Sequence, residues 1–141
     1  ARRYPLDCCF SMFKQLFAQG QEFTYGLKEA GSYYSSYVKL MHHWEKVLPG
    51  KILRVNNEDV ISDLDGQVKR ILEFLDLPFE EECISFYETN RSVRTASSEQ
   101  VRKPINKDGM ERWKPYAKYL KPLLNVLDED LLKPEDIRLI G

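Results

Sequence analysis

Arg3, Pro5, Asp7 and Ser11 stand in the order R-x-P-x-D-x-x-x-S at the head of an apolar helical run. Those types at that spacing suit a phosphate. Pro5 fits the first position of a helix, where its missing N–H costs nothing. The free N–H groups of that first turn, with the positive end of the helix dipole, attract an anion. Arg3 can add a forked pair of charge-assisted hydrogen bonds, and Ser11 a hydroxyl. A second basic stretch, Thr95-Ala-Ser-Ser-Glu-Gln-Val-Arg-Lys-Pro104, lies far downstream. An ordinary capped helix flanked by solvated arginines would carry the same early residues, so the local pattern leaves both readings open.

Other groups able to do chemistry are weaker candidates. No Gly-rich loop precedes a Lys-Ser or Lys-Thr pair; Leu48-Pro-Gly-Lys51 runs from a helix into an extended segment, the wrong context for a phosphate loop. His42 and His43 are adjacent, and neighbours on a helix point about 100° apart, so the pair is ill placed to chelate one metal. Glu58 and Asp59 sit at a helix start, where capping and dipole roles account for them. Cys8, Cys9 and Cys83 form no disulfide framework and no metal spacing, which points to reduced thiols in a cytoplasmic compartment. The residues alone identify no catalytic group and no metal site.

The net charge of −1 over 141 residues argues against a generic nucleic-acid binder. The average conceals a polarity, since acidic residues dominate over 58–88 and basic ones over 91–121. Either stretch can be a plain solvated surface, and a basic segment can also serve a multiply charged anion. No run is long and apolar enough to span a bilayer, so no membrane role is expected.

These residues must be positioned by mostly helical elements. Leu6, Phe10, Phe13 and Phe17 give the spacing of one helical face over about 6–18, with Gly20 beyond the end. Residues 23–31 read as a loop or short turn, followed by a long helix over 32–47 that Pro49-Gly50 stops. Lys51-Ile-Leu-Arg-Val55 predicts one short strand of parallel type, and Asn57-Glu58-Asp59 a short helix. Another helix runs to about residue 75 with Val68, Ile71, Leu72 and Leu75 as its buried stripe. One more covers 80–87, a loop covers 91–106, and helical pieces bent at Pro115 and Pro122 follow. The expectation is a mainly α single domain over 1–141, with 127–141 a polar, peripheral tail.

The run Arg3-Tyr-Pro-Leu-Asp-Cys-Cys-Phe-Ser11 resembles the 3′-phosphate-binding segment of sulfotransferases that use 3′-phosphoadenosine-5′-phosphosulfate (PAPS). The likeness continues through Phe23-Thr-Tyr-Gly-Leu27, Tyr33-Tyr34, Leu40-Met41-His-His-Trp44, Leu48-Pro-Gly50, Asn56-Asn-Glu-Asp59 and the stretch from Thr95 to Pro104. It is nearest to the bacterial and TPR-associated branch, and it is a likeness to the second half of such an enzyme. The resemblance implies the C-terminal half of an α/β P-loop-like fold, whose other strands would come from preceding sequence. It implies that Arg3 and Ser11 grip the 3′-phosphate, with Arg102, Lys103 and Thr95 contributing from the late loop. Trp113 matches an aromatic that follows that loop in the family, and a buried core tryptophan explains it equally. Asn57 stands where the family often has a Tyr near the adenine, which removes a stacking face.

In the family the phosphosulfate loop and the usual base lie near the start of the whole enzyme. The expectation is therefore a chain that binds the nucleotide co-substrate and does not turn over alone, its acceptor unnamed. A missing N-terminal half or a homodimer would complete it. The competing expectation is a non-catalytic helical interaction or dimerisation module derived from such an enzyme.

Overall fold

A computed structural model describes residues 1–17, 19–88 and 100–141. It divides into two compact units, where one domain was expected. One comprises Arg2–Ile52 with Asp108–Gly141; the other is Leu53–Lys107 with Ala1.

In the first unit, helix α1 (Pro5–Lys14) opens on proline and buries Leu6, Cys9 and Phe10, an i, i+3, i+4 stripe. It ends earlier than the pattern predicts. Phe13 and Phe17 remain 41% and 39% exposed, so the helix stops where its apolar face ceases to be covered. A 3-10 turn (Glu22–Tyr25) follows, secured by the buried Thr24 hydroxyl, which donates to the Gln21 carbonyl at 2.7 Å. Helix α2 (Leu27–Val47) begins five residues before the expected start. Its buried residues, Ala30, Gly31, Tyr34, Ser35 and Val38, all fall between its fourth and twelfth positions.

Small residues there admit a close neighbour. A Cβ on Gly31 would meet Leu123 Cδ1 at 2.7 Å and Val126 Cγ2 at 2.6 Å. Ser35 Oγ donates to the Val126 carbonyl at 2.9 Å. The approaching piece is α5 (Lys121–Leu124), which follows a 3-10 helix over Lys114–Tyr119. Pro115 and Pro122 start these two pieces rather than bending one, because the first turn needs no N–H from them.

The tail from residue 127 is not peripheral. Leu127, Leu132 and Ile140 join the core with Leu6, Phe10, Tyr34, Val38, Trp113 and Leu120, the last two through α6 (Pro134–Ile140) and its approach. The acidic Asp128, Glu129 and Asp130 that make the segment read as polar stay exposed, while Leu127 and Leu132 on either side of them turn inward.

In the second unit, α3 (Asn57–Ser62) leads into α4 (Leu64–Phe74), which the Asp63 carboxylate caps by accepting from Gly66 N at 3.0 Å. The far end closes as a Schellman turn. Leu77 N donates to Leu72 O at 2.9 Å and Asp76 N to Glu73 O at 3.1 Å. Asp76 takes the left-handed position at φ 55°, which aspartate tolerates better than most side chains, and Pro78 forbids any continuation. The stripe on α4 is only half-buried at Val68, Ile71 and Leu72, and Leu75 is 54% exposed.

Two expected elements differ. No strand forms over 51–55 among the described residues. The adjoining Asn56 makes an isolated β-bridge, and the Arg54 carbonyl accepts from the Arg70 guanidinium at 2.9 Å. Residues 80–87 form two 3-10 turns, Glu81–Cys83 and Phe86–Glu88, in place of one helix.

Candidate functional site

The head of α1 gathers the best anion chemistry of the first unit. Tyr4, the cap residue, makes no side-chain bond to the first-turn amides, and Pro5 brings no N–H of its own. Arg3 lies just before them, half-buried, and its Nη2 donates to the Gly109 carbonyl. Its buried Nε has no acceptor among the described residues. A buried guanidinium N–H without an acceptor is costly, and an anionic oxygen would satisfy it. Asp7, also in the first turn, is 4% exposed and already draws on the helix dipole. The dipole offers an anion about 0.3–1 kcal/mol, whereas a hydrogen bond to a charged group is worth about 1.5–3 kcal/mol. Arg3 therefore dominates.

Two segments hold this arginine's backbone neighbourhood. The Tyr34 hydroxyl of α2 donates to the Arg3 carbonyl at 2.7 Å. Tyr4 Oη donates to Asp136 Oδ2 at 2.6 Å and accepts from Lys133 N at 3.1 Å, while Lys133 Nζ lies 5.3 Å from the Tyr4 ring centre. Burial, then the Asp136 carboxylate, pushes the Tyr4 phenol well above its ordinary value, so it stays a donor. Burial likewise raises the Tyr34 phenol, partly offset by a hydrogen bond from Arg2.

Ser11 is exposed on the same helix, about 9 Å along the axis from Pro5. No hydrogen bond joins it to Arg3 among the described residues. Arg102 closes a 3-10 turn (Gln100–Arg102) in the second unit, and both it and Lys103 are exposed. Thr95 lies outside the described residues. Trp113 is 1% exposed and takes the core role, though its Nε1 finds no partner among the described residues. His42 and His43 are both exposed, His43 lying edge-on to Trp44 with ring centres 5.4 Å apart.

A sequence profile described as the sulfotransferase family matches residues 1–81, which include the Arg3 to Ser11 segment and α1 to α4. The chain belongs to the sulfotransferase family. An uncharacterized protein of Aquifex aeolicus (strain VF5) is 34% identical over 138 residues, 96% of this chain. The chain spans 18% of that relative's length. Among sulfotransferase-like features, the profile covers Arg3 and Ser11 and stops short of the Thr95 to Pro104 stretch.

Sequence reasoning missed Tyr4, Gly109, Lys133 and Asp136. Tyr4 occupies the variable place of R-x-P and so carries no motif signal, and its partner Asp136 is 132 positions away. Tyr34 was visible as part of the Tyr33-Tyr34 pair in the resemblance, but without its partner, because nothing local marks the target of a phenol.

Proposed function

We propose that the intact protein transfers a sulfuryl group from PAPS to a hydroxyl or amine acceptor, and that this chain supplies the 3′-phosphate part of the nucleotide site. In that reaction the acceptor oxygen or nitrogen bonds to sulfur, the sulfur–oxygen bond to the phosphate breaks, and a base takes the acceptor's proton. PAPS brings the sulfuryl group and a good leaving phosphate. Arg3 binds and orients the nucleotide through the open head of α1, with Ser11 adding a hydroxyl. Arg102, Lys103 and Thr95 are proposed as further nucleotide ligands from the late stretch. The 5′-phosphosulfate and the base fall to other residues of the intact protein, so this chain binds without turning over. Three free cysteines support a reducing, cytoplasmic setting, and among the described residues no helix is long and apolar enough to cross a membrane.

One observation carries the reading: the Arg3 guanidinium, two residues before a helix with no side-chain cap, is held by the Gly109 carbonyl while its buried Nε lacks an acceptor among the described residues. Calorimetry with adenosine 3′,5′-bisphosphate tests it. Weak, salt-sensitive binding is expected, and Arg3→Ala should weaken it roughly ten- to hundredfold, the worth of a charge-assisted hydrogen bond. An affinity indifferent to Arg3→Ala sinks the assignment.

A second reading has its own support. Beyond Val38, helix α2 buries nothing, and Leu40, Trp44 and Val47 are 51%, 39% and 48% exposed. That face suits a non-catalytic dimerisation module. A dimer in sedimentation equilibrium that Trp44→Glu dissociates, and that ignores the bisphosphate, would favour it.

A further inference from the structure

Arg3 has a long side chain, and a long side chain binds an anion well only if its root is held still. Two consecutive residues, Arg3 and Tyr4, are tied down from three places distant in sequence. Tyr34 of α2 donates to the Arg3 carbonyl at 2.7 Å. Gly109 accepts from the Arg3 guanidinium. The first turn of α6 fastens Tyr4 through Asp136 Oδ2 at 2.6 Å, and Lys133 N just before it donates to the same phenol at 3.1 Å. Asp136 is a carboxylate only 4% exposed. A buried carboxylate is costly unless it is hydrogen-bonded, and the bond it makes here is to the residue beside Arg3.

Resting on the reading of Arg3 as the phosphate ligand, we propose that Tyr34 and the Tyr4–Asp136 pair are positioning residues that fix the Arg3 guanidinium at the head of α1. The C-terminal helix α6 is then part of the nucleotide site without touching the nucleotide. It removes the ordering that binding would otherwise require of Arg3. Packing alone does not ask for this arrangement, because a phenylalanine at position 4 or 34 would fill the same space. The hydroxyls are what reach the Arg3 carbonyl and the α6 carboxylate.

The test uses the 141-residue chain and two readouts. The first is exchange with solvent of the buried Arg3 Nε–H, followed by nitrogen-15 NMR without ligand. The second is the affinity for adenosine 3′,5′-bisphosphate. Tyr34→Phe and Asp136→Ala should each speed the Nε–H exchange and weaken bisphosphate binding about fivefold, the size of one hydrogen bond. Asp136→Asn keeps an acceptor for the phenol and should restore most of both. Unchanged Nε–H exchange in Tyr34→Phe and in Asp136→Ala, with only the melting temperature lowered, overturns the positioning role whatever the nucleotide does. Bisphosphate binding indifferent to Arg3→Ala overturns the phosphate reading instead, and leaves the exchange result standing. The two failures are thus separable.

Discussion

All side chains of the buried class among the described residues belong to the unit of Arg2–Ile52 and Asp108–Gly141, and none to Leu53–Lys107. Both units are helical, and both carry apolar stripes of similar quality in sequence. The difference is that α1, α2, α5 and α6 face one another around Trp113, Leu120 and Leu123, whereas α4 packs on the short α3 and keeps its stripe half-exposed. A packed core is what allows a charged side chain to be held in one place. Arg3 is held by hydrogen bonds from separate segments, while Arg102 and Lys103 project from an exposed turn. The same division appears at the helix heads. Asp63 satisfies α4 locally at 3.0 Å, but the Tyr4 hydroxyl leaves α1 uncapped and bonds 132 positions away. An open head is common, as α2 also lacks a side-chain cap. What singles out α1 is the arginine that precedes it, tied to both Gly109 and Tyr34.

Identical truncations in the two units give the largest test of this contrast. Leu123 is 0% exposed, and Leu123→Ala should cost about 3–5 kcal/mol, transfer and cavity terms together. Leu72, half-buried on α4, should cost only about 1 kcal/mol when truncated, because little of its surface leaves water. Urea unfolding followed by circular dichroism measures both. Equal losses would mean that α4 is backed by packing its exposure does not reveal, and the division would break.

How far the sequence disclosed these features follows the range of the forces involved. The helix start at Pro5 and the stop at Pro49-Gly50 are local steric signals, and they appear where the sequence put them. The extent of α1 and the strand over 51–55 depended on what covers or pairs with the segment, which no local pattern encodes. The tail was misjudged because its acidic residues hide Leu132 and Ile140, whose burial needs α6 folded against the rest of its unit. At the head of α1, the placing of Arg3 beside a proline-started helix was legible because proline acts within one turn. Tyr4, Tyr34 and Asp136 were not, since a phenol's partner is chosen by tertiary structure.

A smaller effect separates the two helix heads. Asp63→Ala removes the single side-chain cap of α4 and should cost about 1 kcal/mol, within roughly 0.5–2. It should leave the affinity for adenosine 3′,5′-bisphosphate unchanged, in contrast to Arg3→Ala. A parallel loss of affinity on removing Asp63 would show that the proposed nucleotide site depends on the second unit, which carries Arg102 and Lys103, as well as on the head of α1.

The smallest effect probes how thin the packing of the second unit is. Lys69 Nζ lies 2.5 Å from Asp65 Oδ2, with both side chains more than half exposed, at 56% and 55%. Aspartate four residues before lysine is the favourable order on a helix, and such a pair is worth about 0.3–0.5 kcal/mol before salt screens it. Lys69 Nζ also lies 5.1 Å from the Phe79 ring centre. Lys69→Ala should therefore cost a few tenths of a kcal/mol at low ionic strength. In 1 M salt, where the Debye length falls to about 3 Å, the ion-pair share should vanish. A loss that survives the salt would belong to the Lys69 ammonium over the Phe79 ring rather than to the ion pair. That outcome would give the second unit an aromatic contact of its own and narrow the gap between the two halves of the molecule.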